Sequence, residues 1–272
     1  MKKLLYVALA IVSASFVTSC GLITKGGTND TDSVAFDSLQ IDSVEEDIEF
    51  TTYQVEINDS IPGSEGCLYY NATIAAPKGP KVLVDAVLEW LHDTYAHDYQ
   101  GDISDVKAMF HSAAQNAFYD PDSESPGSTI EYTVELIANT DKYITYEVNG
   151  YDYFGGAHGM PYRYGQTFLK ETGEELDLAE EIDTAGLAPI LRKGVAEYLE
   201  VDDGAVDECL FDDAAKSFPM PGHAPWLTDK SVRFVYGAYE IAPYASGMPE
   251  ADVLFKDIKS HLSAKVKALI EQ

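Results

Sequence analysis

Residues 151–164 read YDYFGGAHGMPYRY. Four tyrosines and a phenylalanine flank the run Gly155-Gly156-Ala157-His158-Gly159. Aromatic side chains fit a pleated, half-buried surface, and clustered glycines interrupt it. The stretch therefore predicts a strand entering a tight turn and a second strand leaving it. Just upstream, Ile130, Tyr132, Val134 and Leu136 alternate with Glu131, Thr133 and Glu135. Asn139-Thr140-Asp141 supplies a turn, and Tyr143–Phe154 returns with Ile144, Tyr146 and Val148 on one side. Period-two alternation on either side of a short polar turn marks a hairpin.

The rest of the chain is read outward from this hairpin. Before it, Phe50–Ile57 and Cys67–Ala75 read as two strands around a turn containing Pro62, Gly63 and Gly66, and an antiparallel pair is expected. After Pro80, the spacing of Val84, Val87, Leu88, Leu91 and Tyr95 predicts a helix. A second is expected over Ser104–Phe118, with Asp102 or Ser104 as its cap. After the glycine turn, Tyr162–Leu169 reads as a strand and Thr172-Gly173 as a turn. A helix follows with Leu187, Ile190, Leu191, Val195 and Tyr198 on one face, capped by Asp183 or Thr184. A short helical stretch at Ala205–Phe211, strands at Val232–Tyr236 and Ala251–Phe255, and one last helix through Ile258, Leu262, Val266 and Leu269 complete the chain. Strands meet as hairpins and helices come in groups. That pattern predicts an α+β fold, with antiparallel sheets and grouped helices packed on them. The expected organisation is two half-domains, 50–165 and 166–272, meeting at a seam near residue 165.

The formal net charge is −28 and the sequence pI about 4.3. Such a chain repels phosphate backbones, so nucleic acid is excluded as a partner. The same field raises the encounter rate of cationic partners. Lys2 and Lys3 precede the apolar run Leu4–Val12, which is too short for a permanent membrane span. With Val17-Thr18-Ser19-Cys20 it predicts a cleaved signal peptide, residues 1–19, ending in a lipobox. Cys20 is then expected to carry diacylglyceryl and N-acyl (palmitate-type) chains that anchor the protein to the outer membrane or cell surface. Cleavage removes Lys2 and Lys3 and makes the charge of −28 two units more negative. Residues 20–49 are acidic and poor in apolar groups, and predict a flexible tether. Within it, Asp32-Ser33-Val34, Asp37-Ser38-Leu39 and Asp42-Ser43-Val44 are similar to Bacteroidetes-type O-glycosylation sequons, which makes Ser33, Ser38 and Ser43 modification candidates. Cys67 and Cys209 remain. Two separate buried thiols are preferred over a disulfide, which the compartment would also permit.

Motifs for chemistry are sparse. His92 and His97 are five apart, off the spacing that puts two ligands on one helix face, and His111 and His223 have no partner at ligand spacing. Zinc-spaced cysteines, calcium loops, phosphate loops and nucleophile elbows do not occur. No catalytic residue, metal or cofactor is expected. His158 could serve as acid, base or ligand, but a histidine between glycines is read first as a residue that closes its turn. The candidate binding residues are Tyr151, Tyr153, His158, Tyr162, Tyr239 and Tyr244, on the expectation that the central turn meets the Gly237–Glu250 loop in an aromatic surface.

Three segments in this order, Tyr151–Gly159 (YDYFGGAHG), Thr172–Leu178 (TGEELDL) and Phe234–Gly247 (FVYGAYEIAPYASG), resemble one family. It is the extracytoplasmic domain family of unknown function shared by RsiV-type anti-sigma factors and PdaC-type deacetylases, here in the form of a Bacteroidetes-like lipoprotein. The resemblance spans residues 51–265, with 50–165 similar to the companion domain and 166–272 RsiV-like. It implies an α+β fold. In RsiV the region binds lysozyme, so the resemblance implies a lysozyme-like muramidase or another cationic envelope protein as ligand. The chain departs from RsiV in having no transmembrane helix or sigma-binding segment, and it leaves no room for a PdaC-type catalytic domain. Signalling is therefore not carried over. The expected function is a lipid-anchored, non-catalytic binding module of the cell envelope. The alternative is an accessory protein or enzyme acting on cell-wall glycan, and a purely structural envelope lipoprotein is the third reading.

Overall fold

The computed structural model describes residues 49–60, 67–116 and 127–271. The expected signal peptide, Cys20 and the tether serines Ser33, Ser38 and Ser43 lie outside the described residues. Among the described residues, no helix is long and apolar enough to cross a membrane.

The fold is α+β. A six-stranded sheet runs in chain order through β1 (Glu49–Ser60), β2 (Cys67–Lys78), β3 (Gly127–Asn139), β4 (Tyr143–Tyr153), β5 (Met160–Leu169) and β6 (Glu175–Leu176). Every neighbouring pair is antiparallel except β2 and β3, which run parallel. This corrects the expectation of purely antiparallel sheets. Helices α1 (Lys81–Tyr95) and α2 (Val106–Asn116) lie between β2 and β3, so the chain crosses a sheet face and re-enters in the same direction.

Both helices pack on one face of the sheet. Leu83, Val87, Trp90 and Leu91 of α1 and Val106, Met109, Phe110 and Ala114 of α2 are buried against Ala72, Ile74, Val134, Ile144, Tyr146, Val148 and Phe168. The cap of α2 is Asp105, whose carboxylate accepts from Ala108 N at 3.0 Å, rather than Asp102 or Ser104. Asp102 instead accepts from Ser104 N and Oγ at 2.9 and 2.7 Å, tightening the turn before the helix.

The opposite face of β4 and β5 is covered by a small antiparallel sheet of β7 (Trp226–Leu227), β8 (Ser231–Val235) and β9 (Glu250–Leu254). Six consecutive residues of β4, Tyr143 to Val148, are therefore buried, because both faces of the strand are covered. A β-bulge between Leu136 and Ala138 bends the end of the hairpin, and Ala138 and Tyr143 join a second core with Leu227, Phe234 and Val253. Trp226 lies so close over β5 that a Cβ at Gly165 would sit 2.3 Å from its ring, which explains a glycine inside a strand.

Helix α3 (Ala188–Tyr198) packs along β9, and Asp203–Cys209 forms a 3-10 turn before α4 (Asp212–Lys216). No side chain caps α3; Asp183 accepts from Ala185 N at 3.0 Å in the turn before it. The single terminal helix expected through Leu269 is divided into α5 (Phe255–Ile258) and α6 (Ala264–Ile270). Between them Leu262 bridges to Ile182, and Ser263 caps α6 by accepting from Val266 N at 3.2 Å. Residue 165, the position of the expected seam, lies within β5.

Candidate functional site

The glycine turn and the loop after β8 meet. His158 Nδ1 donates to Gly159 O at 2.9 Å, and Nε2 of the neutral ring accepts the Tyr239 hydroxyl at 3.0 Å. The imidazole lies stacked on Tyr244, with centroids 4.0 Å apart and planes 26° apart. Tyr239 is 6.0 Å from the imidazole and 5.5 Å from Tyr244. The Tyr244 hydroxyl donates to Gly159 O at 2.9 Å, and Tyr151 accepts from Gly159 N at 3.0 Å, so Gly159 is held from both sides. Gly155 and Gly156 take φ of 100° and 96°, a region that favours glycine, and Tyr153 donates to Gly156 O at 3.1 Å.

Tyr239 is the strained residue of this group. Its φ is 67°, in the left-handed region that aromatic side chains rarely occupy. The loop is fixed by Glu240, whose two carboxylate oxygens accept from Gly222 N at 2.7 Å and Gly237 N at 2.6 Å. Tyr239 is 46% exposed, and Phe154 and Met160, which flank the glycine turn in sequence, are 55% and 45% exposed.

Five of the six candidate binding residues belong to this junction. Tyr162 does not. It lies on the helix-covered face, stacked with Tyr164 at 6.3 Å, and burial together with the nearby Asp152 charge pushes its hydroxyl above the ordinary tyrosine range. The parity of β5 decides this: Tyr162 faces the same way as the buried Phe168. Cys209 is a free cysteine, while the side chain of Cys67 lies outside the described residues. Among the described residues, no group of three or more His, Cys, Asp or Glu side chains is placed to hold a metal ion.

Beneath the junction, the two sheets meet through charge. Glu147 of β4 is 4% exposed. Oε1 accepts from Arg163 Nε at 2.9 Å, and Oε2 from Arg233 at 2.7 Å and from the Trp226 indole at 3.3 Å. Arg163 also binds Glu250, and Arg233 binds Asp252 at 3.2 Å. Burial alone would raise the Glu147 carboxyl, but the two guanidinium groups outweigh it and hold it below the usual range. The sequence reading missed this network, because Glu147, Arg163 and Arg233 occupy alternating positions that read as solvent-facing. One signal was available: the chain has only three arginines, and two of them sit inside strand patterns.

Residues 51–161 match the family described as Deacetylase PdaC. Residues 185–256 match the family described as a protein of unknown function, DUF3298. These matches bear out the family resemblance; they include the YDYFGGAHG and FVYGAYEIAPYASG segments, while TGEELDL lies between them. The DUF3298 match covers α3 through β9, and the PdaC match ends at the start of β5. Among curated proteins, no sequence match is found. Two solved structures share the fold. A DUF3298 family member from Bacteroides fragilis is 16% identical with a TM-score of 0.59, covering 82% of this chain and 97% of its own. A DUF3298 family protein from Pseudomonas aeruginosa is 20% identical with a TM-score of 0.57, covering 81% of this chain and 97% of its own.

Proposed function

We propose that the protein is a lipid-anchored binding module of the cell envelope, held at the outer membrane or cell surface through Cys20. It engages a cationic envelope protein of the lysozyme-like muramidase kind through the His158–Tyr239–Tyr244 junction. The observation that carries this reading is Tyr239. A left-handed aromatic residue costs about 1–3 kcal/mol and persists where the surrounding structure over-determines it, commonly at ligand sites. Here the strain holds a half-exposed ring beside two other aromatic groups, a composition typical of interface anchors. Both ring nitrogens of His158 are already bonded within the protein, which favours an ordering role for it over proton transfer. The net charge of −28 favours a basic partner.

The test is a calorimetric titration of the full chain with a basic muramidase, at low and at high salt, for the wild type and Tyr239→Ala. Salt-sensitive binding that Tyr239→Ala weakens by roughly 10-fold or more agrees with the proposal. No heat at low salt removes it. If His158→Ala keeps full stability yet abolishes a measured catalytic activity, the ordering role assigned to His158 is wrong.

A further inference from the structure

The solvent-facing side of β2, β3 and β4, beyond the edge of the small sheet, carries a groove of ≈ 280 Å³. Strand register arranges its lining in two rows. Asn71 is opposite Glu131, and Glu131 opposite Tyr151. In the next row Thr73 is opposite Thr133, and Thr133 opposite Asn149. Neighbouring strands are about 4.8 Å apart, so each row sets a polar group at every strand step. The lining holds the amides of Asn71 and Asn149, the hydroxyls of Thr73 and Thr133 and the Glu131 carboxylate, together with Tyr132, Gly150 and Tyr151; the Asn149 amide nitrogen also donates to Glu147 at 3.2 Å.

We infer that this groove binds an uncharged saccharide. Amide and hydroxyl groups on a rigid sheet match the dense, neutral donors and acceptors of a sugar ring, and Tyr151 offers an aromatic face for its C–H side. The ring of Tyr151 is fixed, because its hydroxyl accepts from Gly159 N. The Asn71 amide oxygen is buried at the floor of the strands with no hydrogen-bond partner within the protein, while its amide nitrogen faces the Tyr69 hydroxyl at 3.4 Å. Charge selects among sugars: Glu131 lies in the groove, and the neighbouring Arg163 is already paired with Glu147 and Glu250. An anionic saccharide therefore meets uncompensated repulsion. The volume of ≈ 280 Å³ lies just below the range of about 300–1,000 Å³ usual for ligand sites, and suits a short part of a longer chain. The inference deepens the reading as a binding module; the groove shares Tyr151 with the glycine turn but uses none of His158, Tyr239 and Tyr244.

The experiment titrates the full chain with cellotriose, tri-N-acetylchitotriose and trigalacturonate by NMR at millimolar concentration. At least one neutral trimer is expected to shift resonances of β2, β3 and β4, and the anionic trimer to bind at least tenfold more weakly. Asn71→Ala and the near-isosteric Thr133→Val are each expected to weaken the neutral sugar by roughly 5- to 10-fold, with native spectra. Tyr239→Ala, which tests the protein-binding junction, is expected to leave sugar binding unchanged. The inference is overturned if neither neutral trimer shifts these strands, or if the anionic trimer binds equally well. It is also overturned if natively folded Thr133→Val keeps full affinity, since that variant retains the shape of the site.

Discussion

On one face of the large sheet, Trp90 meets Phe168 edge-on at 5.6 Å within a large apolar core. On the other face, at the same strands, Glu147 bonds Arg163, Arg233 and Trp226, and two further carboxylates complete the group. Both interfaces are buried, but their physics differs. Apolar packing is tolerant of direction and proportional to the area removed from water. A buried ionic group is held only while every member is paired, because an unpaired charge there is costly. The helix-covered face thus supplies stability, whereas the small-sheet face adds directional bonds between two specific strand sets.

The sharpest way to break the comparison is Glu147→Ala. It removes the carboxylate that Arg163 and Arg233 share, leaving each with a single acidic partner, and is expected to cost about 3–5 kcal/mol in urea unfolding. Replacing Glu147, Arg163 and Arg233 together with apolar residues of similar volume is expected to cost far less, or to stabilise. An equal cost for the single and triple changes would mean that packing, not pairing, governs this face. Leu91→Ala on the helix-covered face creates a cavity under a fully buried side chain. It should cost about 2–5 kcal/mol, with no dependence on pH.

Acid separates the two faces further. The folded Glu147 carboxyl lies below its unfolded value, so its contribution is fully present above the ordinary carboxylate range of about 4. It is lost as pH falls through the depressed folded value. Asp152 has the opposite sign: burial raises its carboxyl, so its contribution declines as pH rises through the ordinary range. Thermal melts across this window should therefore show Glu147→Gln flattening the acid loss and Asp152→Asn raising stability at neutral pH. The smallest expected effect is at the surface junction. Tyr239→Gly should be more stable than Tyr239→Ala by about 1 kcal/mol, because only glycine relieves the left-handed backbone. Equal melting temperatures would show that the loop relaxes.

Much of the helix-covered side was legible in the sequence. Val87, Leu88 and Leu91, and Val106, Met109, Phe110 and Ala113, fall on the expected helical faces and are buried. Ile144, Tyr146 and Val148 alternate as expected. Trp90 escaped because a ridge wider than one stripe was needed to reach both Tyr146 and Phe168. The polar face was not legible, since period-two alternation separates two sides of a strand but does not say what covers either one. Glu131 and Glu147 read alike, yet the first lines an open groove and the second is sealed between sheets. The junction of His158 with Tyr239 and Tyr244 was foreseen as a meeting of two loops, while Tyr162 was assigned to it by proximity in sequence alone.

By itself the sequence determined most element types, the α+β class and the resemblance to the two matched families, because these rest on local periodicity, turn chemistry and three segments in order. Only the tertiary structure decided that β2 and β3 run parallel, that both faces of β4 are covered, and which polar residues are buried. Those features depend on contacts such as Glu147 with Arg233, 86 positions apart, which no local pattern encodes. The same holds for the YDYFGGAHGMPYRY stretch. Its turn was set by its own glycines, but the place of His158 was set by a tyrosine 81 residues away.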